Sequence, residues 1–598
     1  MPEYKVPLRD MRFLLHEVFD VASHYEAAGF EDVGADIVDA ILSEGAKFCE
    51  DFVAPINAVG DSEGSHLVDG KVTTPKGWQT AIDAYREGGW GAVGSNPEYG
   101  GQGLPESLEL LFNEMAVASN MAWRLCTSLT LGAIHAIDAH ASDELKQRFL
   151  PKLISLEWTG TMCLTEPHAG SDLGILSTSA VPSDDGSYAI SGTKIFITYG
   201  EHDLADNIVH LVLARLPDAP AGPKGISLFI VPKFVPDADG KPGERNPVVC
   251  SAIEEKHGIH GSPTAVLNFE GAKGYLVGAP NRGLSCMFTM MNFARIDVGT
   301  HGLGQAERSL QGAVAYARDR TQFRAPGGAV APDQKADPII VHPDVRRMLL
   351  TQKAIAEGCR ALSTFASMQL DVEHHHPDED ARSKGGDMLA FLIPITKAFL
   401  TESGYEAAYW GVQVLGGAGY IKESGMEQYM RDARIASIYE GTNGIQANDL
   451  LRRKVIGSGG AMLRDFIALI DAECETARGV EGLGTFVEAL SEQSKQWGQL
   501  AESLSTRAGE DPAVVGAASF DFMMLSGYVV VAYFWLRMAR VAQQKLDAGA
   551  GDETFYRAKL MTARFYYERI LPRTLTLAAT LGASTDSLMD MPDDAFVI

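Results

Sequence analysis

434-RIASIYEGTNGIQANDLLRRKV-455 places one carboxylate, Glu440, between an aromatic residue and a Gly-Thr-Asn-Gly turn, just ahead of an amphipathic run. Asn443 followed three residues later by Gln446 fits a capping pattern for a helix through Ile445, Leu450 and Leu451. Glu440 then lies immediately outside a helix N-terminus. Complementing the helix dipole is one use for an acid there; a chemical use requires other residues to converge on it.

Downstream, from about 460, long helical patterns follow: AMLRDFIALIDAE, FVEALSEQSKQWGQLAESL, then 513 to 582. This is enough chain for a separate helical domain. The longest apolar stretch, MMLSGYVVVAYFWL (523 to 536), is shorter than the roughly 20 residues a bilayer span needs and ends at Arg537, so it reads as a buried helix. Upstream, helical spacing occupies about 284 to 460, broken by two expected loops, RAPGGAVAPDQKADP (324 to 338) and DVEHHHPDEDARSKGG (371 to 386). The consecutive His374, His375 and His376 cannot all face one ion on regular structure, and no metal is expected.

Between Trp158 and about 280 the period changes. YAIS, KIFITY, NIVHLVLARL, GISLFIVP and TAVLNFEG alternate with DDGS, PDAPAGPKG and PDADGKPGE, the pattern of an antiparallel β domain. Before it, Ile37, Ile41 and Ala46, then Leu108, Leu111, Met115 and Ala118, recur at helical steps on either side of GSNPEYGGQGLP (94 to 105). The expected fold is mainly α with a central antiparallel β domain. Its divisions are an N-terminal helical extension at 1–39, an N-terminal helical domain at 40–160 and a β domain at 161–283. A helical bundle at 284–458 and a C-terminal helical domain at 459–598 complete the chain.

The length of 598 residues implies more than one core. A formal charge of −27 disfavours nucleic acid and anionic lipid as bulk partners. The seven cysteines are widely spaced and form no CxxC pair, which predicts a reducing, cytoplasmic setting without disulfides or zinc. MPEYKVPLRDMRFLLHEV carries charges throughout its first apolar stretch and so lacks the layout of a signal peptide.

Several segments suit a flat, phosphorylated ligand. CLTEPHAGSDL (163 to 173) offers backbone N–H groups and the hydroxyls of Thr165 and Ser171. KIFITYG ends a strand with Phe196 and Thr198 two residues apart, on one face by strand alternation. RDRTQFR sets Arg320 and Phe323 at a helix end, suited to a phosphate and an adenine. QVLGGAG (413 to 419) closes an apolar helix with glycines that admit a phosphate chain or form a C-cap. No G-x-G-x-x-G follows an early strand, so a Rossmann site is not indicated.

The set PEYGGQGL, CLTEPHAGSD, KIFITYG, ARIDVGTHGLGQAERSLQGAVAYARDRTQF, QVLGGAGY and IYEGTNGIQ, in this order, resembles the acyl-CoA dehydrogenase flavoenzymes over about residues 40 to 455. The extensions at both ends resemble a longer branch, which includes fatty acyl-CoA and 3-(methylthio)propanoyl-CoA dehydrogenases. The resemblance implies FAD as cofactor, Glu440 as catalytic base, and flavin contacts at Cys163, Leu164, Thr165, Gly170, Ser171, Phe196 and Thr198. Many relatives carry Trp where Phe196 stands. It further implies that Arg320, Gln322, Phe323, Gln413, Gly416, Gly417, Thr442 and Asn443 hold the phosphates and adenosine, some across a subunit interface. Ser171, Asn292, Arg295 and Gly441 would contact the acyl-CoA. The 324–338 loop is longer than in short relatives, which affects contacts at His342 and Pro343.

The implied reaction is α,β-dehydrogenation of medium- or long-chain fatty acyl-CoA to trans-2-enoyl-CoA in fatty acid β-oxidation, with 3-(methylthio)propanoyl-CoA or another short thioester as the alternative. An electron-transfer flavoprotein as acceptor and a homodimer are implied as well. An acyl-CoA oxidase would share the base but return electrons to oxygen. A monooxygenase on this fold would not need Glu440, and a DNA-associated flavoprotein would want a basic C-terminal surface where 460–598 is rich in acids.

Overall fold

The switch to period two after Trp158 produces a seven-stranded sheet: β1 (Trp158–Cys163), β2 (Ser179–Pro182), β3 (Tyr188–Thr198), β4 (Asn207–Arg215), β5 (Ile226–Pro232), β6 (Val248–Ile253) and β7 (Thr264–Val277). The computed structural model describes residues 3–597; Met1 and Pro2 of the expected extension and Ile598 of the expected C-terminal domain lie outside the described residues. Strand order is β6-β7-β3-β2-β4-β1, and β5 joins β7 to β4. The expected antiparallel pairing holds for most neighbours. The exceptions are β2, which meets β4 in parallel at Ser179↔Arg215, and β1, which pairs parallel with β4 from Trp158↔Asn207 to Cys163↔Val212. The chain between them holds β2 and β3, long enough for the crossover that parallel pairing requires.

The β3–β7 register also shifts at two places, and one of them falls at Phe196. On β7, Ala265 faces Ile197 and Leu267 faces Lys194, so Ile195 and Phe196 together oppose Val266 in a β-bulge. Phe196 takes φ 59°. Lys194 and Ile197, three apart, are therefore the buried positions here, and beyond the bulge Ile197 lies buried between exposed Phe196 and half-buried Thr198.

Contacts divide the chain into two compact units. One gathers Glu3–Val6 with Ala40–Asp297; the other gathers Pro7–Asp39 with the chain from Val298 onward. The first contains the sheet and α1 (Glu106–His140), a long helix that Asn120 kinks by leaving helical angles. A small hairpin, His66–Val68 with Lys71–Thr73, precedes it and was not expected from the sequence.

The second unit is built on α2 (Gly283–Asp319), whose first turns belong to the other unit, α3 (Pro343–His375) and α4 (Glu379–Leu415). The expected loop at 371–386 is almost entirely helical. Helix α3 runs through His375, and the Asp378 carboxylate caps α4 by accepting from Asp380 and Ala381 backbone N–H groups. Only three residues interrupt, because proline at 377 forbids helix there while the acids beyond it favour a helix start.

After α5 (Asn443–Asn448) come α6 (Ala461–Ala477), α7 (Gly484–Glu510), α8 (Ala513–Asp547) and α9 (Glu553–Phe565). Their apolar faces share one core with α3, α4 and the N-terminal segment: Phe13, Phe19, Leu362, Phe391, Phe466, Trp497 and Phe534 all belong to it. Glycines allow the closest approaches; a Cβ on Gly527 would lie 2.1 Å from the Phe399 ring. Among the described residues α8 alone is long and apolar enough to cross a membrane, and 67% of its apolar window is buried in this core. The extension is anchored 549 residues away, where Asp10 accepts from the Lys559 ammonium, while Arg360 donates to Asp10 and to Glu307.

Candidate active site

The expected site residues fall in both units, and each group is built by its own local structure. In the β unit the segment after β1 folds back on itself: Glu166 N–H donates to the Ala169 carbonyl and Ala169 N–H to that of Glu166. The segment is then welded to β3. Ile195 N–H donates to the Thr165 carbonyl at 2.9 Å, and the buried Lys194 ammonium donates to the Leu164 carbonyl at 2.9 Å and to Glu166 Oε1 at 2.8 Å. Thr165 is thereby set beside the residue that precedes Phe196.

Burial would raise the Glu166 carboxyl. The Lys194 charge, with donors from Thr178 and Ser177, outweighs it and holds the group down to about 2. Glu166 and Lys194 were missed as site residues although both lie in quoted motifs. Nothing in either segment signals that the two charges pair across 28 positions.

Phe196 is 60% exposed at its left-handed backbone angle. A bulky residue there is strained, and strain of this kind persists where surrounding contacts impose it. Thr165 and Thr198 are half-buried, and Gly170 and Ser171 are exposed. The Cys163 side chain instead belongs to the sheet core, where burial pushes its thiol up to about 12, so only its backbone is available to a ligand. On α2, Asn292 is exposed, while the Arg295 guanidinium lies 5.8 Å from the centroid of the Phe288 ring.

In the helical unit, α2 and α4 end against a common core containing Ala317 and Leu415. Arg320, Gln322 and Phe323 follow the first end; Gln413, Gly416 and Gly417 stand at the second, and all six are exposed. Phe323 is 81% exposed with φ 58°. The long loop beyond it closes on itself: Gln322 N–H donates to the Asp337 carbonyl, Asp337 N–H to that of Phe323, and Ile339 N–H to that of Arg320. Inside, the Asp337 carboxylate accepts from Ala325, Val330 and Ala331 N–H groups and from Arg324. These backbone donors hold it down to about 2. His342 Nε2 donates to the Gln322 carbonyl at 2.8 Å, tying the residue after the loop to the expected contact before it.

Glu440 adopts φ 56° and Gly441 φ 86°, two left-handed residues in succession. Glycine supplies the second at no steric cost; the first is strained. The helix cap is Thr442, whose hydroxyl accepts from Ile445 N–H at 3.3 Å, and not Asn443. The Asn443 amide is taken up below the turn, by Lys397, Thr401 and Glu402 of α4. Its buried side chain fixes the loop, and the turn offers a ligand its backbone and Thr442. Glu440 and Thr442 are half-buried. Gln446 Nε2 donates to the Glu440 carbonyl at 3.4 Å, and the buried His301 ring bonds the Tyr439 hydroxyl. His301 and Lys397 carry no signal in the sequence, and Gln446 reads there only as half of a capping pair.

These residues fit a flavin dinucleotide. Exposed Phe196 and Phe323 offer faces for flat rings. Gly416, at φ 61° and ψ −137°, has a backbone open only to glycine, and a Cβ on Gly170, Gly416 or Gly417 would meet no atom of the chain within 4 Å. That is room at the backbone, not packing inside the protein.

Family models match nearly the whole chain: acyl-CoA dehydrogenase N-terminal domain at 38–157, middle domain at 161–272 and C-terminal domain at 281–455, then an acetyl-CoA dehydrogenase C-terminal-like domain at 465–592. The chain is 43% identical to a 3-methylmercaptopropionyl-CoA dehydrogenase of Ruegeria pomeroyi, over 98% of this chain and 99% of that one. It is 34% identical to the broad-specificity linear acyl-CoA dehydrogenase FadE5 of Mycobacterium tuberculosis over the full length of both. In fold it is similar to an acyl-CoA dehydrogenase from Bacillus anthracis solved with FAD, at TM-score 0.73 and 21% identity, covering 94% of this chain and 91% of that one. With its four domain matches and full-length relatives, the chain belongs to the acyl-CoA dehydrogenase family of FAD-dependent oxidoreductases.

Proposed function

We propose that the protein removes hydrogen from C2 and C3 of an acyl-CoA thioester with Glu440 as the base. The observation that carries this is the strained, externally braced conformation of Glu440 at the mouth of the α5 turn. Glu440 takes the C2 proton, and its backbone N–H, presented by the left-handed turn, is the donor suited to the thioester oxygen as the enolate develops. When bound, FAD supplies the acceptor for the C3 hydride, redox chemistry no side chain provides. Thr165, Phe196 and Thr198 hold the ring system; Arg320, Gln322, Phe323, Gln413, Gly416, Gly417 and Thr442 hold the phosphates and adenosine. Ser171, Asn292, Arg295 and Gly441 contact the acyl-CoA.

Two substrate classes are supported. Straight medium- or long-chain acyl groups, oxidised in fatty acid β-oxidation, are the class the sequence resemblance implies, and the FadE5 relative supports a linear acyl chain. The 43% full-length identity to the Ruegeria pomeroyi enzyme supports 3-(methylthio)propanoyl-CoA, whose thioether resembles a methylene in size and polarity. A kcat/KM profile over butanoyl-, octanoyl-, dodecanoyl-, hexadecanoyl- and 3-(methylthio)propanoyl-CoA with an artificial acceptor decides between them. A maximum at octanoyl to hexadecanoyl establishes the first class, and preference for the methylthio or butanoyl thioester the second.

The working protein we propose is a cytoplasmic homodimer that passes electrons to an electron-transfer flavoprotein. All seven cysteines are buried free thiols, which supports a reducing compartment, and the exposed Phe323 and Tyr420 support a partner subunit over the adenosine end of the site.

A further inference from the structure

The turn that carries Glu440 is gripped on both sides by buried polar side chains from two different helices. On its N-terminal side the Tyr439 hydroxyl is hydrogen-bonded to Nδ1 of His301 on α2; the rings are 5.9 Å apart and inclined by 52°, and His301 is completely buried. On its C-terminal side Asn443 Oδ1 accepts from Nζ of Lys397 on α4 at 2.8 Å, with Lys397 also completely buried. Asn443 Nδ2 donates to Glu402 at 2.7 Å and to the Thr401 hydroxyl at 3.0 Å.

Only Glu440, Gly441 and Thr442 lie between these two anchors. The anchors also belong to one rigid block, because α2 and α4 touch backbone to backbone beside them. A Cβ on Gly302 would lie 2.3 Å from the Leu400 carbonyl, and one on Gly404 2.2 Å from the Gly302 carbonyl. A left-handed Glu between two fixed points on one block is a conformation imposed from outside the turn.

We propose that His301 and Lys397 are positioning residues for the reaction, acting through Tyr439 and Asn443 to hold the Glu440 carboxylate where it meets the substrate C2 proton. This rests on Glu440 being the base. Neither residue touches substrate or flavin in this account. Their contribution is alignment, and misplacement of a reacting group by about 1 Å costs up to ~10²-fold in rate.

The test is single-turnover flavin reduction by butanoyl-CoA and octanoyl-CoA in FAD-loaded protein. His301→Phe, Tyr439→Phe and Lys397→Met are expected to keep full FAD occupancy and thioester Kd within ~3-fold while slowing reduction by ~10- to 10²-fold. His301→Asn, which restores a polar atom near Nδ1, recovers most of that loss. The His301→Phe/Tyr439→Phe double variant is no slower than either single variant, since both remove one bond. In a Glu440→Gln background none of the substitutions slows the residual rate further. Tyr439→Phe removes a single oxygen and keeps the test valid if His301→Phe does not fold. Wild-type reduction by Tyr439→Phe and Lys397→Met, or an equal slowing in the Glu440→Gln background, overturns the positioning role while leaving the base intact. Wild-type reduction by Glu440→Gln alone overturns the base, and this proposal with it.

Discussion

The Lys194 ammonium donates to Glu166 Oε1 at 2.8 Å with both side chains inside the β unit, so a complete ion pair stands behind the segment that presents Thr165 and Phe196. Breaking a buried pair from one side strands the other charge, at a cost of ~3–5 kcal/mol. Lys194→Met is therefore expected to lower Tm by several degrees and to loosen FAD. Replacing both, Lys194→Met with Glu166→Gln, recovers much of the stability. Thermal unfolding and flavin absorbance of the three variants measure this.

The same pair sets a pH response. The Glu166 carboxyl is held at about 2 against an ordinary value of 4.5, so its stabilisation is complete above 4.5 and is lost as pH falls from there toward 2. Asp337, held at about 2 by backbone donors, weakens the 320–339 loop over a similar window, below its ordinary value of 3.8. FAD release measured from pH 6 down to pH 3 should begin below about pH 4.5, and Glu166→Gln should flatten the steepest part of the curve.

Glu440→Gln keeps the size of the side chain and the left-handed turn. It is expected to retain FAD and bind acyl-CoA, yet to lose at least ~10²-fold in the rate of flavin reduction, the lower range for removing a general base. Stopped-flow bleaching of the flavin band reads this directly.

Gly417 is exposed, with no atom of the chain near an added Cβ, so Gly417→Val has no clash to pay inside the protein. It should fold with an unchanged Tm in the absence of flavin while FAD affinity falls. Gly416→Ala acts differently: its φ of 61° and ψ of −137° are closed to alanine, so both stability and affinity drop. Titration of apoprotein with FAD, alongside melting curves, separates the two.

Asp10 is buried between Lys559 and Arg360, whose charges outweigh burial and hold its carboxyl at about 2. Asp10→Ala should cost ~3–5 kcal/mol by leaving two buried cations short of a partner, detectable as a lower midpoint in urea unfolding. Substituting exposed Glu553 on α9, which pairs with Arg557 on the same helix, is expected to change stability by less than ~1 kcal/mol.

The sequence by itself determined the order of helices, sheet and helices, the turn before α5, and the family to which the chain belongs. Periodicity and turn residues act over a few positions, and the family motifs are runs of adjacent residues. Tertiary structure decided the rest. The bulge that throws Phe196 outward depends on a register set by β7, and the parallel pairing of β1 depends on a strand 49 positions away. Asn443 reads locally as a helix cap but is drawn inward by Lys397, leaving the cap to Thr442. The loop expected at 371–386 became helix because tertiary packing of α3 and α4 outweighed its polar composition. Buried charges such as Lys194, Lys397 and Asp10 look like solvated residues in the chain, because their partners stand 28, 46 and 549 positions away and burial has no local signature.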